Sequence, residues 1–228
     1  MKMKKIDRLS FLFLVFIPGI LLAADLPEEK TPAIIPENAK LEHLFTRSAA
    51  IKGGLTEGPA VAPDGSIFFS DIPMNKDGGA GMILRHDPRT GKTTTFKTDS
   101  GKSNGLMFDA EGRLVGCQGA DYGKRRLTRW NIKTGEEVEL AGKFNGKRFN
   151  APNVLAIDRS GRIYFTDPRY VGHESRELES RAVYRLDGDG KVREITSAVR
   201  KPNGIALSPN EKTLYVADHD NGTDRIDP

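Results

Sequence analysis

Short apolar runs recur along the chain, each bounded by glycine, proline, asparagine or aspartate, and four stretches share one order of polar and apolar positions. Residues 57–71 read EGPAVAPDGSIFFSD, 104–118 NGLMFDAEGRLVGCQ, 153–167 NVLAIDRSGRIYFTD and 203–218 NGIALSPNEKTLYVAD. In each, a polar residue opens a short apolar strand, a tight turn follows, and a second apolar strand closes the unit. The leading positions lie 47, 49 and 50 residues apart (57 to 104, 104 to 153, 153 to 203). Self-similarity at a fixed period marks a repeat architecture.

Between these units lies a second turn signal, at 87–96 (DPRTGKTTTF), 131–140 (NIKTGEEVEL) and 187–195 (DGDGKVREI). Each period therefore holds two hairpins, or four strands. That combination predicts an all-β chain folded as propeller blades. A β-sandwich would not need such regular spacing, and an α/β fold would need long helical patterns that the chain lacks. Only Glu174 to Arg181 reads as locally helical. In a hairpin the residue opening the first strand and the residue closing the second share one end. The spacing thus predicts that Glu57 neighbours Asp71, Asn153 neighbours Asp167 and Asn203 neighbours Asp218 around one mouth of a central channel.

A ring of Glu and Asn oxygens at such a mouth suits a hard cation such as calcium, which takes oxygen ligands. Asn beside Gly also serves as a simple turn former, so for Asn104 both readings stand. A zinc-protease helix is not encoded, because His173-Glu174-Ser-Arg-Glu177 lacks a second histidine. No Gly-x-Ser-x-Gly elbow signposts a serine nucleophile.

Composition narrows the picture further. With 37% hydrophobic and 29% charged residues the chain is globular rather than disordered. The net charge of +4 suggests a basic protein until it is located. Lys2, Lys4, Lys5 and Arg8 less Asp7 place +3 in the first 24 residues and leave +1 for the remainder, so no nucleic-acid-binding face is expected. Those residues have the layout of a secretory signal, with a cationic start, an apolar stretch from Leu9 to Leu22 and a cleavage site before Asp25. The expected organisation is a signal peptide at 1–24, a proline-rich extension at 25–40 and a partial propeller at 41–228, periplasmic or secreted and free of the membrane once the signal is removed. The single cysteine, Cys117, is read as a buried filler. Ser100-Gly-Lys-Ser103 is read as a surface turn, since the first Gly of a phosphate loop falls on Phe96. Lys124-Arg-Arg126 is read as a solvated face, and Phe68, Phe69, Tyr164, Phe165 and Tyr215 as packing between blades.

Several of these segments carry a family resemblance. Thr56-Glu57-Gly58-Pro59, Arg148-Phe-Asn-Ala-Pro-Asn153, Gly161-Arg-Ile-Tyr-Phe-Thr-Asp167-Pro168 and Lys201-Pro-Asn203-Gly with Thr213-Leu-Tyr-Val-Ala-Asp218 resemble the gluconolactonase, senescence-marker-protein and luciferin-regenerating-enzyme family. The resemblance runs from about Leu41 to Asp220. It implies a six-bladed propeller holding a divalent ion, usually calcium, with zinc or magnesium the alternatives for this chain, that hydrolyses sugar lactones or related esters. Carried over by position, Glu57, Asn153 and Asn203 are expected as metal ligands, and Arg148, Asn153 and Asn104 as contacts to a small lactone or ester substrate.

Two departures stand out. Many bacterial relatives have Asp after the asparagine matching Asn153, where this chain has Val154. The family's general-base aspartate would fall beyond Pro228, in a later blade. About three and a half blades are encoded, and six would take on the order of 100 more residues at this period. An incomplete propeller is thus expected, poorly soluble and weakly active by itself. The rival expectation is a non-catalytic secreted propeller that binds a sugar or a protein. A related esterase or cyclase-like enzyme would share the fold.

Overall fold

The computed structural model describes residues 34–47, 53–73 and 79–220. The leader read at residues 1–24 lies outside them. The chain divides into two compact units, up to Glu42 and from His43 onward. In the first, residues 34–42 are exposed and carry no strand or helix. All of the strands belong to the second.

The described residues form β-strands without helices, and each sequence period becomes one antiparallel sheet. The first blade is β1 (Leu55–Val61), β2 (Ile67–Ile72), β3 (Met82–Asp87) and β4 (Lys92–Lys97), paired in that order. The second is β5 (Ser103–Phe108), β6 (Leu114–Gln118), β7 (Arg126–Trp130) and β8 (Glu137–Ala141). A two-stranded hairpin follows, β9 (Lys143–Phe144) and β10 (Lys147–Arg148), turned by Asn145 at φ 50° and Gly146 at φ 81°. This Asn-Gly pair in the left-handed region is the backbone of a tight hairpin turn. The third blade is β11 (Leu155–Ile157), β12 (Ile163–Asp167), β13 (Ala182–Leu186) and β14 (Val192–Thr196). The fourth sheet pairs β15 (Pro202–Leu207) with β16 (Leu214–Asp218). The expectation of propeller blades with four strands per period therefore holds.

The aspartates of the inner turns set the hairpins locally. Asp158 accepts hydrogen bonds from the backbone N–H groups of Ser160 (3.0 Å) and Arg162 (3.0 Å), and Asp109 does the same for Glu111 (3.1 Å) and Arg113 (2.8 Å). Such Asx-type closure explains the Asp between the first two strands of the first three periods, and in the fourth Asn210 takes the role, accepting from Lys212 N (3.1 Å).

The core lies between blades. Ala60, Phe68, Ile83, Leu106, Leu114 and Trp130 pack the first blade on the second. Val115, Cys117, Leu127, Phe149, Leu155, Phe165 and Tyr184 pack the second on the third. Cys117 is fully buried there, and burial pushes its thiol well above the usual range, as a filler requires. Phe68 and Phe165 are interblade packing residues, but Tyr164 lies under the Arg185 guanidinium (5.9 Å) and Tyr215 is 60% exposed. Alternation along a strand sends neighbouring residues to opposite faces, which separates Phe68 from Phe69 and Phe165 from Tyr164.

Residues 174–181 are irregular rather than helical. The Glu174 carboxylate accepts from the backbone N–H groups of Asp121 (3.1 Å) and Tyr122 (2.9 Å), and the Glu177 carboxylate from that of Arg148 (2.8 Å). These side chains tie down loops of the preceding blade instead of lying along a helix face.

Candidate functional site

The innermost strands are stitched together at the residues that open each repeat. Ser70 Oγ at the end of β2 donates to the backbone oxygen of Asn104 (2.8 Å). The Gly105 N–H donates to the oxygen of Asn153 (2.7 Å). Thr166 Oγ1 donates to the oxygen of Asn203 (2.8 Å). Each pocket asparagine thus has its carbonyl anchored to the blade before it.

At the first two of these contacts close approach is possible because Gly follows Glu57 and Asn104. A Cβ on Gly58 would lie 2.2 Å from Asn104 O, and one on Gly105 2.7 Å from Asn153 O. Pairing register shifts at the same places, between Glu57 and Ala60, Ser103 and Leu106, and Pro202 and Ile205. Bulges of this kind re-aim side chains beside functional sites. Here they turn the leading residues inward.

The result is one cavity of about 320 Å³ that receives Glu57, Asn104, Asn153 and Asn203 together. Asn104 sits within β5 rather than in a turn, so of its two readings the pocket one describes its place. The Glu57 carboxylate and the side-chain amides of Asn104 and Asn153 have no hydrogen-bond or ion-pair partner among the described residues. Asn203 Nδ2 donates to Tyr170 Oη (3.1 Å). Leu55, Ile72, Ala151, Pro152 and Val171 supply apolar wall.

Four further polar residues line the cavity that the repeat pattern did not single out: Lys102, Asp121, Tyr170 and His219. Lys102 is buried, and its Nζ donates to Asp121 Oδ2 at 2.7 Å. Burial works to raise the Asp121 carboxyl, but the Lys102 ammonium and the His173 ring beside it hold it below the usual carboxylate range. Burial raises the Tyr170 phenol, keeping its proton in place. A positional signal for these residues exists. Lys102 stands two residues before Asn104 as Lys201 does before Asn203, while Asp121, Tyr170 and His219 shortly follow the second strand of their repeats.

The aspartates that close the second strands take a different place from the one their spacing predicts. Register pairs Thr56, not Glu57, with Asp71, and Pro202, not Asn203, with Asp218. Their carboxylates turn away from the cavity and clamp the backbone just before each leading residue. Asp71 accepts from Gly54 N (3.2 Å) and from Arg47 Nη2 (2.9 Å) and Nε (3.1 Å). Asp167 accepts from Asn150 N (2.8 Å) and Ala151 N (2.6 Å), and Asp218 from Lys201 N (3.0 Å). Asp167 is fully buried, and desolvation pushes it up to about 7 against the pull of those two N–H groups and of the Arg125 and Arg169 guanidiniums. In the second blade Gln118 holds the corresponding position, and its Nε2 donates to Ser100 O (2.9 Å).

Arg148 is not brought to this cavity. It is exposed on β10, its Nη2 donates to Lys124 O (3.0 Å), and it borders a separate open depression with Arg126 and Lys143. The residues between Arg148 and Asn153 form the buried Asp167 clamp, which directs the arginine outward.

The donor set fits a hard cation. One unpaired carboxylate and three carboxamides, all capable of offering oxygen, share the cavity, whereas histidine and thiolate ligation of the zinc type would need side chains that do not converge here. Among the described residues no three His, Cys, Asp or Glu side chains group around one point, so the negative charge available is small.

The chain is 31% identical over 183 residues to the gluconolactonase of Zymomonas mobilis, covering 75% of this chain and 51% of that protein. It is 30% identical over 171 residues to the lactonase drp35 of Staphylococcus epidermidis, covering 73% and 49%. The solved structure of a gluconolactonase from Xanthomonas campestris superimposes with a TM-score of 0.65 at 32% identity, over 74% of this chain and 56% of that one. The chain thus spans about half the length of these relatives. The model of the SMP-30/Gluconolactonase/LRE-like region matches residues 55–224, the stretch that builds the blades and contributes every leading residue of the cavity, and the chain belongs to that family.

Proposed function

We propose that this cavity serves divalent-cation-dependent hydrolysis of a sugar lactone or related ester. The observation that carries the reading is the convergence of Glu57, Asn104, Asn153 and Asn203, with oxygens left unpaired by the described residues, in a single pocket. Glu57, Asn153 and Asn203 would hold the cation, and their all-oxygen donor set favours calcium. A cation bound there supplies a Lewis acid for a lactone carbonyl and charge for the oxyanion that develops on it.

The chain's own residues provide the rest of the setting. Lys102, fixed by Asp121, presents a buried positive charge to an acyl oxygen or to the carboxylate of the product. The Asn104 amide offers a hydrogen-bond donor to a sugar hydroxyl. The apolar wall limits water to the reacting face. Hydrolysis adds water across the acyl–oxygen bond, opens the ring and releases a hydroxy acid with its proton.

The test is proton release from a sugar δ-lactone followed at constant pH, with and without calcium, in the full chain and in Glu57→Gln. Calcium-dependent turnover that the substitution abolishes is the expected result. Calcium-dependent stabilisation without turnover would instead indicate a propeller that binds a sugar or protein.

A further inference from the structure

A carboxamide is nearly symmetrical in shape but opposite in chemistry at its two ends, so an asparagine that serves a cation must be held with its oxygen inward. For Asn203 the structure contains the element that makes the choice. Tyr170, in the loop after β12, places its Oη 3.1 Å from Asn203 Nδ2 and 3.3 Å from the backbone oxygen of Lys201. A phenol has one proton to give. The structure gives that proton to the Lys201 oxygen, which can only accept, and the lone pair left on Oη receives the hydrogen bond from the Asn203 amide. The end of the Asn203 amide facing Tyr170 must therefore be the NH₂ group, and Oδ1 is turned the other way.

The surroundings hold this arrangement from several sides. The Asn203 backbone oxygen is fixed by Thr166 Oγ1 (2.8 Å) on β12, the strand that leads into Tyr170. The Lys201 oxygen also accepts from His219 N (3.0 Å), and the Tyr170 ring packs edge-on against the His219 ring with centroids 5.7 Å apart. The third blade thus grips both the main chain and the side chain of a residue belonging to the fourth.

We propose that Tyr170 is a positioning residue that locks the Asn203 amide with Oδ1 toward the cavity, making Asn203 an acceptor for the bound cation. The cation half of this statement rests on the functional reading above. Partners of metal ligands typically change affinity by about 10- to 100-fold when removed. Tyr170→Phe keeps the ring and its packing and deletes only the hydroxyl.

Two measurements on the full chain decide the matter. In side-chain amide NMR without calcium, Tyr170→Phe should shift the Asn203 NH₂ resonances and increase their hydrogen exchange, because their acceptor is gone. Unchanged resonances overturn the lock. In calcium titrations by calorimetry, Tyr170→Phe should weaken binding about 10-fold or more, with little change in the cation-free Tm. The double variant Tyr170→Phe/Asn203→Asp should recover affinity, since a carboxylate presents oxygen at either end. Weakening without that recovery would show that amide orientation is not responsible, and would overturn the proposal. Absence of calcium binding in the unsubstituted chain would overturn the cation reading, while the NMR result would still uphold or refute the lock.

Discussion

Gly105→Ala tests whether the cavity is assembled by close contact between inner strands. The new Cβ would stand 2.7 Å from Asn153 O and 2.8 Å from Val154 Cα, both backbone atoms, against the 3.4 Å at which ordinary contact begins. Relief requires the strands to separate by about 0.7 Å, the difference between 3.4 and 2.7 Å. The hydrogen bond from Gly105 N to that same Asn153 oxygen, now 2.7 Å, would stretch to about 3.4 Å and be lost. Overpacking costs about 1–3 kcal/mol and the lost bond about 1 kcal/mol. The smaller entropy of an unfolded Ala offsets about 0.4–1 kcal/mol. The net is a destabilisation of about 1–4 kcal/mol, or a Tm lower by about 2–14 °C for a chain of this size. Urea unfolding measures it, with Gly188→Ala as the control. Nothing lies within 4 Å of the Cβ position at Gly188, and its change should stay within about 0.5 kcal/mol. If Gly105→Ala were as neutral as Gly188→Ala, the close-contact account of the cavity would be wrong.

Two further outcomes are expected. Asp167, raised by burial to about 7 from an ordinary value near 3.9, binds more protons folded than unfolded between these limits. Its contribution to stability is therefore full below about pH 4, declines as pH rises toward 7 and is flat above, so urea unfolding across that range should show a falling component that Asp167→Asn abolishes; parallel profiles would contradict this. Lys102→Met should raise KM for a lactone about 10-fold or more through loss of a charge-assisted contact, with calcium affinity kept or strengthened because a neighbouring positive charge is gone. An unchanged KM would remove Lys102 from the substrate site.

What the sequence discloses follows from its regularity. Strand alternation and a constant period suffice to place Glu57, Asn104, Asn153 and Asn203 at equivalent points, and those points converge. The aspartates mislead because a bulge intervenes. Counting along an ideal hairpin sets Glu57 beside Asp71, while the shifted register pairs it with Ser70 and sends the Asp71 carboxylate to Arg47 and Gly54. Lys102 and Asp121 escape notice because they lie in loops with left-handed backbone, φ 53° and 59°, just outside the strand–turn–strand segments whose alternation reveals the repeat. The short β9–β10 hairpin, turned by Asn145 and Gly146, lies outside the four repeats and holds Arg148 on an exposed strand. The apparent helix at 174–181 fails because its carboxylates satisfy backbone N–H groups of other loops, a long-range role invisible to local propensity.

At the centre of the account, Glu57, Asn153 and Asn203 form a cation site. Calcium titration of the full chain, followed by thermal unfolding and calorimetry alongside Glu57→Gln, tests it most directly. The account predicts saturable binding that raises stability by about 2.7 kcal/mol at a hundred times Kd, with Glu57→Gln needing far more calcium for the same effect. A Tm that calcium leaves unmoved at millimolar concentration, or that moves equally in both proteins, would contradict it.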